Sequence, residues 1–200
     1  MSLGEGNAEI VQKRKYMSPT SHFAMSWLIS NSISFNVRER FLITLSGVLS
    51  DIDGMGVIID LMARNSRTPT YLWDNYHHTL CHNIGFGLLL TMAVFALARV
   101  HRVKAALLAF ICFHLHLLCD LIGSKGPEGY QWPIPYFKPF SDNLQLVWAH
   151  QWELNAWPNI LIGTILAGLI ILMARYKKRS PFELISKKMD TVFINMVGKK

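Results

Sequence analysis

Three stretches of this chain, residues 83–99, 105–121 and 159–174, are almost wholly apolar. A water-soluble domain has little use for that many helices without a polar face. At 1.5 Å per residue each gives a helix of roughly 25 Å, a little under the hydrocarbon thickness of about 30 Å. Flanking turns or local thinning can absorb that shortfall. With 200 residues, 51% of them hydrophobic, and a positive mean hydropathy, the chain has material for one helical domain and is too apolar for an ordinary soluble one. The expected fold class is all-α: an integral membrane helical bundle of about four to five helices with interfacial loops.

Two weaker helices precede these, at 21–35, interrupted by serines, and at 38–50, opened by charged residues. Residues 51–82 form a connection with an amphipathic piece at 57–63 and a turn around Pro69. Residues 123–158, rich in Trp, Tyr and Pro, suit a membrane interface. The expected organisation is a polar segment 1–20, a membrane helical domain 21–175 carrying the site, and a basic cytoplasmic tail 176–200. Residues 1–21 contain Lys13, Arg14 and Lys15 but neither the unbroken apolar core nor the cleavage site of a signal peptide. Cys81, Cys112 and Cys119, odd in number and in or beside apolar helices, read as small buried side chains rather than a disulfide framework.

The net charge of +7 is concentrated after the last apolar stretch, where Arg175, Lys177, Lys178, Arg179, Lys187, Lys188, Lys199 and Lys200 face only Glu183 and Asp190. No aromatic interleaving accompanies these cations, so the expected partner is the lipid bilayer and not nucleic acid. Placing the connection with Arg99, Arg102 and Lys104 in the cytoplasm orients the helices by alternation. His22, Asp51, Asp53, His77, His78, His82, His116 and Asp120 then all fall toward the outer face. Lys13, Arg14 and Lys15 would lie outside as well, against the usual charge bias.

Those eight residues carry the chemistry. His116 and Asp120 are four apart inside an apolar helix, hence on one face, where they can share a cation or form a hydrogen-bonded pair. Ionisable groups at membrane depth are costly and usually face a polar interior; the bland alternative is a pair stapling two helices. His77, His78 and His82 sit just ahead of another apolar helix. If that helix begins near Tyr76, His78 and His82 share a face; if later, His77 can fold back toward His82, and either pair can bind a divalent metal. Asp51 and Asp53 alternate at a helix end, so one can meet a metal while the other bridges or holds a ligand histidine, although alone such a pair is more often solvated. His22 is a lone histidine brought to the same face. His114 reads as a packing residue, His101 and His150 as loop residues, and Asp60 as polar-side.

These motifs resemble the membrane-bound metal-dependent hydrolases of bacteria and archaea, the YdjM-like family with members under SOS-response control, over about residues 21–137. The family's early histidine matches His22 and its Asp-x-Asp matches Asp51 and Asp53. Its His-x-x-x-x-His matches His77 and His82, and its His-x-x-x-Asp matches His116 and Asp120. A Gly then Trp-Pro pattern is similar to Gly129 and Trp132-Pro133. Gly54 stands where the family often has a histidine, and His78-Thr79 where it has Arg-Gly.

The resemblance implies a bacterial or archaeal membrane enzyme. The donor mixture suits Zn²⁺, or Mn²⁺, as one or two ions, rather than an all-oxygen site. The expectation is hydrolysis of a phosphoester, with a lipid as one candidate substrate, by metal-activated water. His22, Asp53, His82, His116 and Asp120 are the expected ligands, with His77 and His78 as further candidates. Asp51 is expected as catalytic base or as orienter of a ligand. Trp132, Tyr136, Phe137 and Trp148 read as an interfacial rim or as plain membrane anchors. The alternative is a non-catalytic membrane protein that binds or transports an ion.

Overall fold

The computed structural model describes residues 19–66, 68–125 and 131–198. Lys13, Arg14, Lys15, Gly129, Lys199 and Lys200 therefore lie outside the described residues. Among those described, the chain is all-helical, with two isolated bridge pairs and no strand. Helix α1 spans Pro19–Ser30 and α2 Val37–Ser46; a 3₁₀ helix, Leu49–Met55, leads into α3, Gly56–Ala63. The short α4, Leu72–Tyr76, precedes α5, Ile84–Leu97, and α6, Arg102–Gly123. After the connecting segment come α7, Trp157–Lys177, a 3₁₀ turn, Pro181–Leu184, and α8, Lys187–Gly198.

Two helices, α6 and α7, are long and apolar enough to cross a membrane. Their 22 and 21 residues give about 32 Å each, longer than the apolar stretches alone because residues 102–104 extend α6 at its start and residues 175–177 extend α7 at its end. The pair Val37–Ser46 and Leu49–Ala63 reaches that length only together and is bent by 54°. The stretch 83–99, expected to make a third full-length helix, yields only the 14 residues of α5, about 21 Å. It loses one residue at the start, where the Asn83 side chain accepts from Phe86 N at 2.9 Å as the cap, and two at the end, where Ala98 turns extended and Glu39 takes Val100 N and His101 N. The backbone of 131–140 folds against this start, with Tyr136 O accepting from Ile84 N at 2.7 Å and Lys138 O from Gly85 N at 3.2 Å. Irregular backbone near an apolar layer is tolerated where protein satisfies it in this way.

α6 is the central element. Phe35, Ile43, Val94, Ala98, Ala105, Ala109 and Cys112 pack at one end of the bundle, and Leu90, Phe113, Leu117 and Ile134 toward the other. The first end is locked by buried charge. Asn36 and Glu39 form a reciprocal cap on α2, and Glu39 Oε1 also accepts from Val100 N and His101 N, each at 2.8 Å. Arg40 grips Glu183 with two guanidinium nitrogens, Nε at 2.8 Å, and donates to Phe35 O; Trp27 Nε1 reaches Glu183 at 3.2 Å. The basic tail is thus a folded segment docked on α1 and α2. The expected site residues gather at the opposite end.

Candidate metal centre

His116 and Asp120 occupy successive turns of α6, and the remaining groups are brought to them by the ends of α2 and α5. His116 Nδ1 lies 2.9 Å from Gly47 O. A carbonyl can only accept, so Nδ1 carries the hydrogen and Nε2 is the free donor atom, 3.0 Å from Asp120 Oδ2. Gly47 can sit there because α1 passes close by: a Cβ at that position would lie 1.9 Å from Ser26 Oγ. The turn bearing Asp120 is fixed through the terminal carbonyls of α6, which helix geometry leaves unpaired. Gln151 Nε2 donates to Asp120 O at 2.8 Å, Trp152 N to Ile122 O at 3.1 Å and Asn159 Nδ2 to Gly123 O at 2.8 Å.

His82 stands one residue ahead of the α5 cap. Its Nδ1 is 3.2 Å from Asp53 Oδ2, an accepting carboxylate oxygen, which again leaves Nε2 as the free atom. That nitrogen is 3.3 Å from His116 Nε2 and 3.4 Å from Asp120 Oδ2. Asp51 Oδ1 completes the group, 3.5 Å from His116 Nε2. Asp51, His82, His116 and Asp120 each offer one ligand atom, all within 4.8 Å of one another, and together could bind a metal ion. The two histidines and Asp120 are buried, whereas the Asp51 side chain is 23% exposed, so the cluster opens on that side.

The two aspartates of the Asp-x-Asp take different places from those expected. Asp53, expected as a ligand, lies behind His82 and accepts three N–H groups: His77 Nδ1 at 2.9 Å, His82 Nδ1 at 3.2 Å and Cys81 N at 3.0 Å. That is the position of a carboxylate that orients a ligand histidine. Asp51, expected as base or orienter, has its oxygen in the cluster. The backbone between them is 3₁₀, so residues two apart point about 120° away from each other.

His77 is in the loop and shares Asp53 with His82, its ring stacked on Trp73 at 3.7 Å. Gly54 leaves room for both rings, since a Cβ there would meet Trp73 Cζ3 at 2.6 Å and His77 Nδ1 at 3.0 Å. The volume of a histidine after the Asp-x-Asp is occupied here by Trp73 and His77. His78 takes a left-handed backbone, φ 63°, and lies buried 4.4 Å from the His82 ring and 5.2 Å from Trp132. Neither His77 nor His78 contributes an atom to the four-residue cluster. His22 stacks on His116 at 3.9 Å, with Nε2 3.4 Å from Asp120 Oδ1; it flanks the cluster through the second oxygen of Asp120.

Burial pushes His78 well below the usual histidine range, leaving it neutral. Burial acts against charge on His82 too, but the hydrogen bonds of Asp120 and Asp53 outweigh it and raise its pKa. A proton and a cation therefore compete for the same lone pair. The Cys81 thiol is pushed up to about 11 by burial, reinforced by Asp53, and stays protonated. Buried polar atoms without a hydrogen-bond partner among the described residues include Asp51 Oδ2, Asp120 Oδ2, His22 Nδ1 and His78 Nδ1. Such atoms are rare in folded proteins, and these belong to two members of the cluster and to two histidines beside it.

The remaining candidates have other partners. His114 spans Phe110 O and Tyr136 Oη, each at 2.8 Å; His150 is exposed; His101 packs on Phe35. Trp132 adjoins His77 and His78, Phe137 is exposed, and Trp148 contacts Trp152 and His150. Two supports were not expected from sequence: the Gly47 carbonyl, and Asp60, whose two oxygens accept from Leu72 N and Trp73 N at 2.8 Å and so anchor α4 ahead of His77. Asp60 followed by a five-residue helix is too short a signal to recognise. Comparison with family models, curated proteins and solved structures finds no match.

Proposed function

We propose that this protein is a membrane-bound, metal-dependent hydrolase of the kind its motifs resemble, acting on a phosphoester, with Zn²⁺ the preferred ion and Mn²⁺ the alternative. The observation that carries the reading is the meeting of His82 Nε2 and His116 Nε2 at 3.3 Å. Hydrogen bonds on the far side of each ring make both nitrogens lone-pair donors, so they repel unless a cation or proton lies between them. Bonds of about 2.0–2.2 Å in a tetrahedral site give edges of about 3.3–3.6 Å; three separations among His82, His116, Asp120 and Asp51 are 3.3, 3.4 and 3.5 Å, and His116 Nε2 to Asp120 Oδ2 is shorter at 3.0 Å. The imidazole–carboxylate mixture favours a borderline cation over Mg²⁺ or Ca²⁺.

A divalent ion held there supplies Lewis acidity and a water that ionises near neutral pH. The chain supplies the rest. Asp53 and the Gly47 carbonyl hold the two imidazoles in the ligating tautomer. His82, His116 and Asp120 would hold the ion, and the part-exposed Asp51 would close the fourth position until water displaces it, and then take that water's proton. A carrier would spread its donors through the depth of the bundle, whereas these crowd at one end. The bundle would sit in the bilayer with α6 and α7 crossing it and the bent α2–α3 pair entering from the site side.

The test is elemental mass spectrometry of detergent-purified protein beside His116→Ala/Asp120→Ala, followed by assays on soluble and lipid phosphoesters. Stoichiometric metal lost in the double variant, with metal-dependent turnover, is the expected result. No metal in either protein after supplementation would overturn the reading.

A further inference from the structure

The docked tail contains a feature that the metal centre does not use. Ile185, Met189, Val192 and Met196 are 75%, 46%, 52% and 73% exposed. Met189, Val192 and Met196, spaced three and four apart, lie within about 60° of one another at about 100° per residue and form an apolar stripe along α8, with Ile185 just ahead of the helix. The opposite side is engaged: Phe193 packs on Phe182 at 5.3 Å, and Asp190 accepts from Ser180 N at 2.7 Å. Lys187, Thr191 and Asn195 make a third, polar face that is fully exposed.

Three faces of this kind, one against the protein, one apolar and one polar, are what a helix lying in a membrane–water boundary requires. Its level is fixed independently. Arg175 Nε in the last turn of α7 donates to Val197 O at 2.9 Å, and the Ser180–Asp190 bonds hold the middle of α8 beside the chain that has just left α7. The exposed cations Lys187 and Lys188 open α8, and Lys178 Nζ lies near Gly198 at its other end, a charge pattern complementary to anionic headgroups and not to zwitterionic ones.

We infer that α8 is a membrane-surface helix whose Met189, Val192 and Met196 stripe enters the acyl boundary of an anionic leaflet, on the side where α7 ends. The inference rests on the reading that α7 crosses the bilayer. It gives the docked tail a second attachment: Arg40 and Glu183 hold it to α1 and α2, and lipid holds its outer face.

The test uses the full-length protein in vesicles of phosphatidylcholine, alone or mixed equally with phosphatidylglycerol. An environment-sensitive fluorophore is attached at Val192→Cys, Met196→Cys, Asn195→Cys and Leu169→Cys. All carry Cys119→Ala, because Cys119 is part-exposed whereas Cys81 and Cys112 are buried, and Cys119→Ala alone serves as background. In the mixed vesicles, positions 192 and 196 should be several-fold less quenched by iodide than 195 and should be quenched by shallow spin-labelled lipid, with weaker protection in phosphatidylcholine. Lys187→Glu/Lys188→Glu should restore iodide access several-fold. Acidic residues in a first helical turn favour the helix, so this loss would not stem from unfolding of α8.

Equal iodide access at 192, 195 and 196 overturns the inference. So does protection without lipid quenching, which marks a protein contact, and so does equal protection in both vesicle types, which removes the anionic preference. Absence of lipid quenching at 169 would instead mean that α7 does not cross the bilayer, a failure of the membrane reading itself.

Discussion

Replacing Asp53 with Asn separates a ligand-orienting carboxylate from a ligand. The carboxylate accepts from His77 Nδ1, His82 Nδ1 and Cys81 N at 2.9–3.2 Å. The amide offers one accepting oxygen and turns an N–H toward a group that also donates. With its oxygen at the Oδ2 position, Asn keeps Cys81 N and His82 and forces His77 to change tautomer. With the oxygen at Oδ1, it loses the hold on His82. Either way the imidazole that ligates is less basic and less firmly oriented, and changes of this kind typically cost 10–100-fold in metal affinity, about 1.4–2.7 kcal/mol. Asp51→Asn removes a charged donor from the cluster itself and should cost more. The assay is chelator competition in detergent for both variants, beside thermal unfolding of the metal-free proteins. The melting temperature should fall mainly for Asp53→Asn, because a buried charge-assisted network is disturbed, and little for the part-exposed Asp51→Asn. Unchanged affinity in Asp53→Asn would refute the orienting role; loss of affinity as complete as in Asp51→Asn would make Asp53 a ligand.

Arg40→Met should destabilise the protein by about 3–5 kcal/mol, since it leaves the Glu183 carboxylate buried without its partner; a thermal melt checks this, and Arg40→Met/Glu183→Leu should recover most of the loss. Gly47→Ala should cost about 1–3 kcal/mol because the new methyl overlaps Ser26, and it should weaken metal binding as well, since the same residue's carbonyl orients His116; normal affinity in a folded variant would separate the two effects. Supplying metal at about 100 times its dissociation constant should stabilise the protein by about 2.7 kcal/mol, seen as a higher melting temperature that His116→Ala abolishes.

The long apolar runs made the helical class and both membrane-length helices legible, because a helix that is apolar all round leaves a run that composition alone can find. The shortness of α5 was not legible. It depends on Asn83 being a cap, met by the 131–140 backbone from far downstream, and on Glu39 holding Val100 N and His101 N just past the helix end. The docking of the tail was equally hidden: Arg40 and Glu183 are separated by 143 residues, and a basic run reads the same whether it is free or folded.

At the site, the helical i, i+4 pair on α6 was readable because an α-helix maps that spacing to one face whatever else happens. The roles of Asp51 and Asp53 were not, because their meaning depends on the local winding. In a strand, residues two apart would point the same way; in an α-helix they stand about 160° apart and in a 3₁₀ helix about 120° apart. The structure chooses 3₁₀ over Leu49–Met55, sending Asp51 into the cluster and Asp53 behind His82. The histidine triplet was ambiguous for a similar reason. His78, in the middle, turns left-handed, so the chain reverses between His77 and His82 and brings both to Asp53. One carboxylate therefore organises two histidines that sequence spacing alone would have counted as competing ligands.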